Sequence, residues 1–342
     1  MSRSGPPRAN GASVSAAEAP PRPIPQRGTV HLLNRQLLFV TGKGGVGKTT
    51  VAAAIAQLAA QQGKRTLVCE MDAKGALAAA FDCSPFPYVA RQVDTNLYGM
   101  AMNTEDSLRE YLRLFVRIPF VGRIGPLART FDFVADAAPG VKEILAIGKL
   151  CYEVRERHYD LVVVDAEASG HIVGQIGAPR VISELVQVGL VREQTKWMLD
   201  ILEDPALTGL VTVTTPEEMP VNETIELLER VRERTEVDLA GIIVNRVLPA
   251  LFGTRETQVF DQMFSPDAQR LLTDAAGRSV TSVMGAARTN EARRRVGAGH
   301  LERLRGELAS DTHMIYIPEL FTRAVGRRVV SLVADALAEE LI

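Results

Sequence analysis

The chain has 342 residues, 46% of them hydrophobic, enough for one large α/β domain or two smaller ones around a real core. Lysine plus arginine total 39 against 41 for aspartate plus glutamate, and this net charge of −2 gives no electrostatic footprint for nucleic acid, which is not expected as a partner. Cys69, Cys83 and Cys151 are scattered without CxxC spacing, so neither a disulfide framework nor a zinc pair is suggested and no zinc is expected. No apolar run approaches the roughly 18 residues of a spanning helix, and the N-terminus has no signal-peptide core, so a cytoplasmic, reducing location is expected.

Residues 1–30 are rich in Pro, Ala, Ser and Gly, carry Arg3, Arg8, Arg22 and Arg27 against Glu18, and show no apolar period. That composition predicts a disordered tail, with the folded chain spanning 34–342. The apolar run Leu37–Val40 then leads into GKGGVGKT, residues 42–49, and an alanine-rich segment follows from Val51. Strand, glycine loop and helix in that order make a phosphate cradle, because successive backbone N–H groups point into one concavity at a helix N-terminus. Gly42, Gly47, Lys48 and Thr49 fit GxxxxGK[ST], and Gly44, Gly45, Val46 and Thr50 complete the nucleotide-binding stretch. Lys43 is surplus, since cradling one nucleotide needs only one lysine.

Val51–Gln62 reads as a helix closed by Gly63, and Arg65–Glu70 as a second strand that completes a βαβ unit. Asp72 follows it, at the strand end where open α/β sheets bind ligands. Leu97–Met102 fits a short strand, and Leu108, Tyr111, Leu112, Phe115 and Ile118 form one helical stripe, suited to packing against neighbours or to lining a groove. With Val141–Val154, residues 104–158 read as a helical insertion. Leu161–Val164 is a strand covered on both faces that closes on Asp165, the usual source of a carboxylate for a Mg²⁺ shell. Glu167 to His171 then face the phosphate end, with His171 read chiefly as a loop residue. Helices over Val181–Leu190 and Gln194–Leu202 extend the insertion across 172–205.

Leu207–Thr214 and Asp238–Val244 are further strands around a helix over Asn222–Glu236. Asn245 ends the second of them and offers an amide that can both donate to and accept from an adenine edge. Residues 249–310 read as polar helices, with Arg288, Arg293, Arg294 and Arg295 on a solvated face. Met314–Ile317 is a last strand before Pro318, and Ala324–Leu341 a closing helix with an acidic end, unlike a basic membrane anchor.

With Lys43, Asp72, Asp165 and Asn245 in this order, the chain resembles the deviant phosphate-loop ATPases, most closely the arsenite-pump (ArsA) and guided-entry targeting ATPase family. DAEASGH from Asp165 is similar to the family's second switch, and Ala138 to Glu143 to a segment of its helical domain. The length is similar to that of short, single-repeat actinobacterial members. The resemblance implies an α/β fold, a mostly parallel sheet flanked by helices with a helical insertion subdomain. It implies that ATP and Mg²⁺ are the cofactors. Lys43 would reach a partner's nucleotide across a homodimer, or a heterodimer with a related subunit, and Asp72 would orient the attacking water. Lys48, Gly45 and Gly47 would hold phosphate, Gly170 would donate its N–H to the γ-phosphate, and Asn245, Arg246 and Pro318 would contact the nucleotide. Thr49 and Asp165, the latter directly or through water, would organise Mg²⁺.

The chain lacks the zinc CxxC carried by the eukaryotic targeting members, and its cysteines do not match the arsenite-pump positions. Glu167 and Ala168 replace the alanine and proline usual in the second switch. The expected function is an ATP-driven dimeric switch coupled to a membrane transporter or hydrophobic client, with peripheral membrane association in reach. Two other readings share the loop. A MinD/ParA-like positioning ATPase would need a basic membrane-binding helix or basic face, and a regulatory subunit would bind nucleotide with little hydrolysis.

Overall fold

Every residue of Leu37–Gly42, Thr66–Glu70 and Leu161–Asp165 is buried, as strands covered on both faces require. These are β1, β2 and β5 of an eight-stranded sheet in a computed structural model that describes residues 32–72, 74–113, 140–186, 188–310 and 312–341. The other strands are β3 (Arg91–Asp94), β4 (Leu97–Ala101), β6 (Thr208–Thr214), β7 (Leu239–Val247) and β8 (Met314–Pro318). Their order is β3-β4-β2-β5-β1-β6-β7-β8, parallel throughout except where β3 runs antiparallel to β4 at one edge. The expected α/β architecture with a mostly parallel sheet is what the chain forms.

Helices α1 (Lys48–Gln61), α2 (Ala76–Ala80) and α11 (Arg327–Leu341) cover one face of the sheet, where Leu38, Val40, Val68, Val163 and Val213 meet Ile55, Leu77 and Leu337. The pleat sends alternate residues to the opposite face. There Leu37, Phe39, Leu67, Val162 and Val164 pack on α4 (Val141–Arg155), α5 (Ser169–Leu185), α6 (Leu190–Leu202) and α7 (Glu218–Arg234). The alanines of α1 let it lie close on the sheet, all of Val51–Ala60 being buried.

Helix α3 (Thr104–Tyr111) is capped by Asn103, whose side chain accepts from Asp106 N. Together with α4, α5 and α6 it encloses a cavity of about 380 Å³ lined by Leu108, Leu112, Ile144, Leu145, Ile182 and Met198. The stripe thus faces a cavity as far as Leu112; Phe115 and Ile118 lie outside the described residues, as do the tail 1–30, Ala138 and Pro139. Three helices, α8 (Thr254–Gln262), α9 (Pro266–Ala276) and α10 (Ser279–Gly306), occupy the polar region before β8. Among the described residues no helix is long and apolar enough to cross a membrane.

Three local expectations change. The helix read as beginning at Val181 starts at Ser169, because Ile172, Val173 and Ile176 belong to the core and carry the helix through Pro179. Strand β3 was not anticipated, three of its four residues RQVD being polar at an edge. Asn245 does not end its strand, since β7 runs on to Val247 with an irregular register between Val244 and Val247.

Candidate functional site

The glycines of residues 42–47 are required by geometry at two points. Gly42 closes β1 at φ 144°, where any Cβ would collide with the Val213 carbonyl oxygen. Gly47 precedes α1 at φ 96°, and a Cβ there would stand 2.5 Å from Asn245 Nδ2. The helix therefore opens at Lys48 with its free N–H groups and dipole directed into the loop, a ready anion site. Lys48 curls back so that Nζ lies 3.5 Å from the Lys43 carbonyl oxygen. Burial lowers its pKa, with the Asp165 charge acting in the opposite sense and Lys74 adding to the lowering.

Asp165 ends β5 beside β1, 7% exposed, and the Thr49 hydroxyl is hydrogen-bonded to its carboxyl. Burial pushes that carboxyl up to about 6; Glu70 and Asp72 add like charge, while the Thr49 hydrogen bond and Lys48 oppose the shift. A buried carboxylate and a threonine hydroxyl in contact at the mouth of a phosphate loop are the hard oxygen donors that Mg²⁺ takes, so these residues fit that ion. Among the described residues no three acidic, histidine or cysteine side chains are placed to hold an ion by themselves. This agrees with Mg²⁺ chemistry, in which one or two carboxylates share the ion with waters and phosphate oxygens.

Asn245 is drawn against the loop, with Nδ2 donating to the Val46 carbonyl at 2.8 Å and Oδ1 accepting from Arg246 N at 3.0 Å. Its amide thus holds the loop in this conformation, leaving one N–H and one lone pair for a base. Arg246 has φ 60° and lines an open pocket of about 860 Å³ with Glu319, Phe321 and the α10 residues Arg288 and Arg293. Pro318 ends β8 next to Glu319. Thr50 lies in the first turn of α1, and Gly170 in the first turn of α5, with nothing within 4 Å of the position a Cβ would take. His171 is 76% exposed, its ring 3.9 Å from Glu167.

Two of the expected catalytic residues are held elsewhere. The Asp72 carboxylate, half exposed, is paired with Lys74, and Lys43 Nζ is paired with Glu223 of α7. Lys74, Glu223 and the buried Glu70 at the end of β2 are site residues that the sequence reading did not single out. Glu70 gave the signal that revealed Asp165, a carboxylate closing an apolar run; Glu223 gave none, as only the fold brings α7 to the loop. Arg294 and Arg295 do not simply face solvent but pair with Glu291, which is 5% exposed.

The cysteines are all free, Cys69 and Cys151 buried and Cys83 partly so. Cys69 and Cys151 lie in the core on one face of the sheet while Cys83 packs against the core on the other. Burial raises the Cys69 and Cys151 thiols, so neither offers a thiolate to a metalloid.

The chain matches the family model described as Anion-transporting ATPase over residues 35–194 and 187–263. ATPase BagA of Mycobacterium tuberculosis is 32% identical to it over 226 residues, 63% of this chain and 66% of that protein. An ATPase ASNA1 homolog of Babesia bovis is 28% identical over 261 residues, covering 64% of this chain and 69% of its own. Another, from Plasmodium vivax, is 23% identical over 341 residues and 88% of each chain. The chain thus spans just under two thirds of the length of the mycobacterial relative. A phosphate loop with the additional Lys43, a Thr49–Asp165 pair at its mouth, and a matched model covering most of the described core have one common explanation: the chain belongs to the Anion-transporting ATPase family.

Proposed function

We propose that this chain is a Mg²⁺-dependent ATPase that hydrolyses ATP to ADP and phosphate, and that ATP joins two subunits into a switch acting on a membrane transporter or a membrane-directed, apolar client. The observation that carries the reading is the placement of the buried Asp165 beside Thr49 and Lys48 at the N-terminus of α1. In this reading Lys48 and the loop N–H groups bind the phosphates, and Thr49 and Asp165 hold the ion. Mg²⁺ supplies charge neutralisation on the phosphate oxygens and a fixed geometry for them. Asp72, once off Lys74, orients the water, and Gly170 N–H meets the γ-phosphate from α5. The names of the relatives, ATPase in each case, support hydrolysis. The cavity among α3 to α6, with its apolar lining, supports a client of apolar character.

The test is phosphate release from ATP with and without Mg²⁺, by the wild type and Lys48→Ala. Turnover lost on chelation and in the variant supports the reading; turnover indifferent to both sinks it. A second reading, a nucleotide-binding regulatory subunit with little hydrolysis, is favoured by the engagement of Asp72 with Lys74. Tight ATP binding with no turnover in the same assay selects it. Affinity capture with Asp72→Asn and ATP, followed by mass spectrometry, identifies a partner subunit and client together.

A further inference from the structure

Strands β2 and β5 are parallel neighbours, and their register sets Glu70 directly beside Asp165. Residues opposite each other in a ladder project to the same face, so two carboxyl groups stand side by side at the mouth of the phosphate loop. Both are buried, Glu70 at 3% exposure and Asp165 at 7%. One oxygen of Glu70 is accounted for: Oε1 accepts from Ala76 N at 2.8 Å, tying β2 to the start of α2. The other is not. Oε2 is buried and has no hydrogen-bond partner among the described residues. A buried carboxylate oxygen without a donor costs free energy, and a like charge next to it costs more. A role confined to capping α2 explains Oε1 and leaves Oε2 without a purpose.

We propose that Glu70 is the second carboxylate of the Mg²⁺ site, its free oxygen accepting from a water of the ion's shell beside Asp165. The inference rests on the reading of residues 42–49 as the ATP·Mg²⁺ loop. A hydrated cation supplies what the pair lacks, positive charge between two acids and an O–H donor for Oε2. Because Oε1 holds Ala76, the same side chain links the ion to the loop of Asp72 and Lys74. Glu70 is a positioning residue in this scheme and touches no reacting atom.

Glu70→Gln separates the two roles, since the amide oxygen keeps the bond to Ala76 N while the charge is removed. The purified full chain is compared with the wild type in two measurements, Mn²⁺ binding in the presence of ADP by electron paramagnetic resonance and thermal unfolding in EDTA without nucleotide. The expected results are an Mn²⁺ affinity lower by about tenfold, as for other residues that act through a metal-bound water, and a higher unfolding midpoint in EDTA. Unchanged Mn²⁺ affinity overturns the proposal, and so does an unchanged or lower midpoint. A wild type that binds no Mn²⁺·ADP removes the nucleotide-site reading itself, a separate result from a tight wild type matched by its variant. Should Glu70→Gln not fold, Glu70→Asp, which keeps the charge but draws the oxygen back, carries the same affinity measurement, and an unchanged value is again fatal.

Discussion

Lys43 Nζ in the phosphate loop is ion-paired with the carboxylate of Glu223 on α7 of the same subunit, both side chains being about one third exposed, 28% and 31%. A lysine so held is not available to a second subunit's nucleotide, so the pair opposes the trans role that the family resemblance implies for Lys43. Glu223→Gln is expected to release it. Partly exposed pairs contribute about 0.2–1 kcal/mol, so the ATP-dependent dimer should tighten by up to about fivefold. Sedimentation velocity across a protein dilution series measures this, with Lys43→Ala as the control that should lose turnover and keep nucleotide affinity. A Glu223→Gln dimer no tighter than wild type shows that the cis pair has no hold on assembly.

Asp72→Asn should bind ATP as tightly as wild type and lose turnover, if Asp72 orients the water. The pairing of Asp72 with Lys74 adds a second expectation, because the lysine must release the carboxylate before it can act. Lys74→Ala removes that competitor, so the Michaelis constant should change little and turnover should rise or hold. Single-turnover phosphate release for both variants decides the matter. Wild-type turnover in Asp72→Asn would exclude the residue from the mechanism.

The loop and Asp165 were legible because their chemistry is local. Glycines at fixed offsets force a curl, and an apolar run closing on an acid marks a strand end at the crevice. The pairings that set the resting state were not legible. Lys43 meets Glu223 across 180 residues, and Asn245 Nδ2 meets Val46 across 199. Only the placement of β6 beside β1, of β7 beyond β6 and of α7 against the sheet creates those contacts. The helix through Pro179 was misread for a related reason, as its core face outweighs the local preference of a proline to begin a helix. Edge strand β3 escaped because it is only four residues long and Val93 is its single apolar residue, too short a run to reveal the alternation that the fold gives it.

Metal-free protein should lose stability as pH rises from about 4 to about 6, traceable to Asp165. Its carboxyl titrates near about 6 in the folded chain against 3.8 ordinarily, so over that window the native state holds more protons than the unfolded one. Stability then falls with rising pH, by at most about 3 kcal/mol for a shift of this size, and levels off above it. The facing groups divide in sign, Lys48 and Thr49 favouring the anion while Glu70 and Asp72 disfavour it. Asp165→Asn should flatten the profile and raise the neutral-pH melting temperature in EDTA. Urea unfolding at pH 4.5 and pH 7 with wild type and variant measures the difference; parallel profiles would show that Asp165 ionises freely in the fold.

Lys149 on α4 should prove one of the costliest single residues to remove. Its side chain is 11% exposed and bridges Glu110 of α3 at 2.9 Å and Glu153 at 2.6 Å. Burial alone would lower its pKa, yet the hydrogen bonds and charges of Glu153 and Glu110 raise it, so the ammonium is fixed by its partners. Tyr88, in the chain between α2 and β3, donates its hydroxyl to Glu110 at 2.5 Å, and His158 Nδ1 lies 2.8 Å from Glu153. Lys149→Met preserves the volume and leaves the buried Glu153 facing the partly buried Glu110, a change whose upper bound is the about 3–5 kcal/mol seen where one partner of a buried pair is lost. Chemical denaturation should show that loss, with about half of it restored in Lys149→Met/Glu153→Gln, where one of the two stranded charges is gone. A single variant within 1 kcal/mol or so of wild type, the range of exposed pairs, would mean that water reaches this network freely.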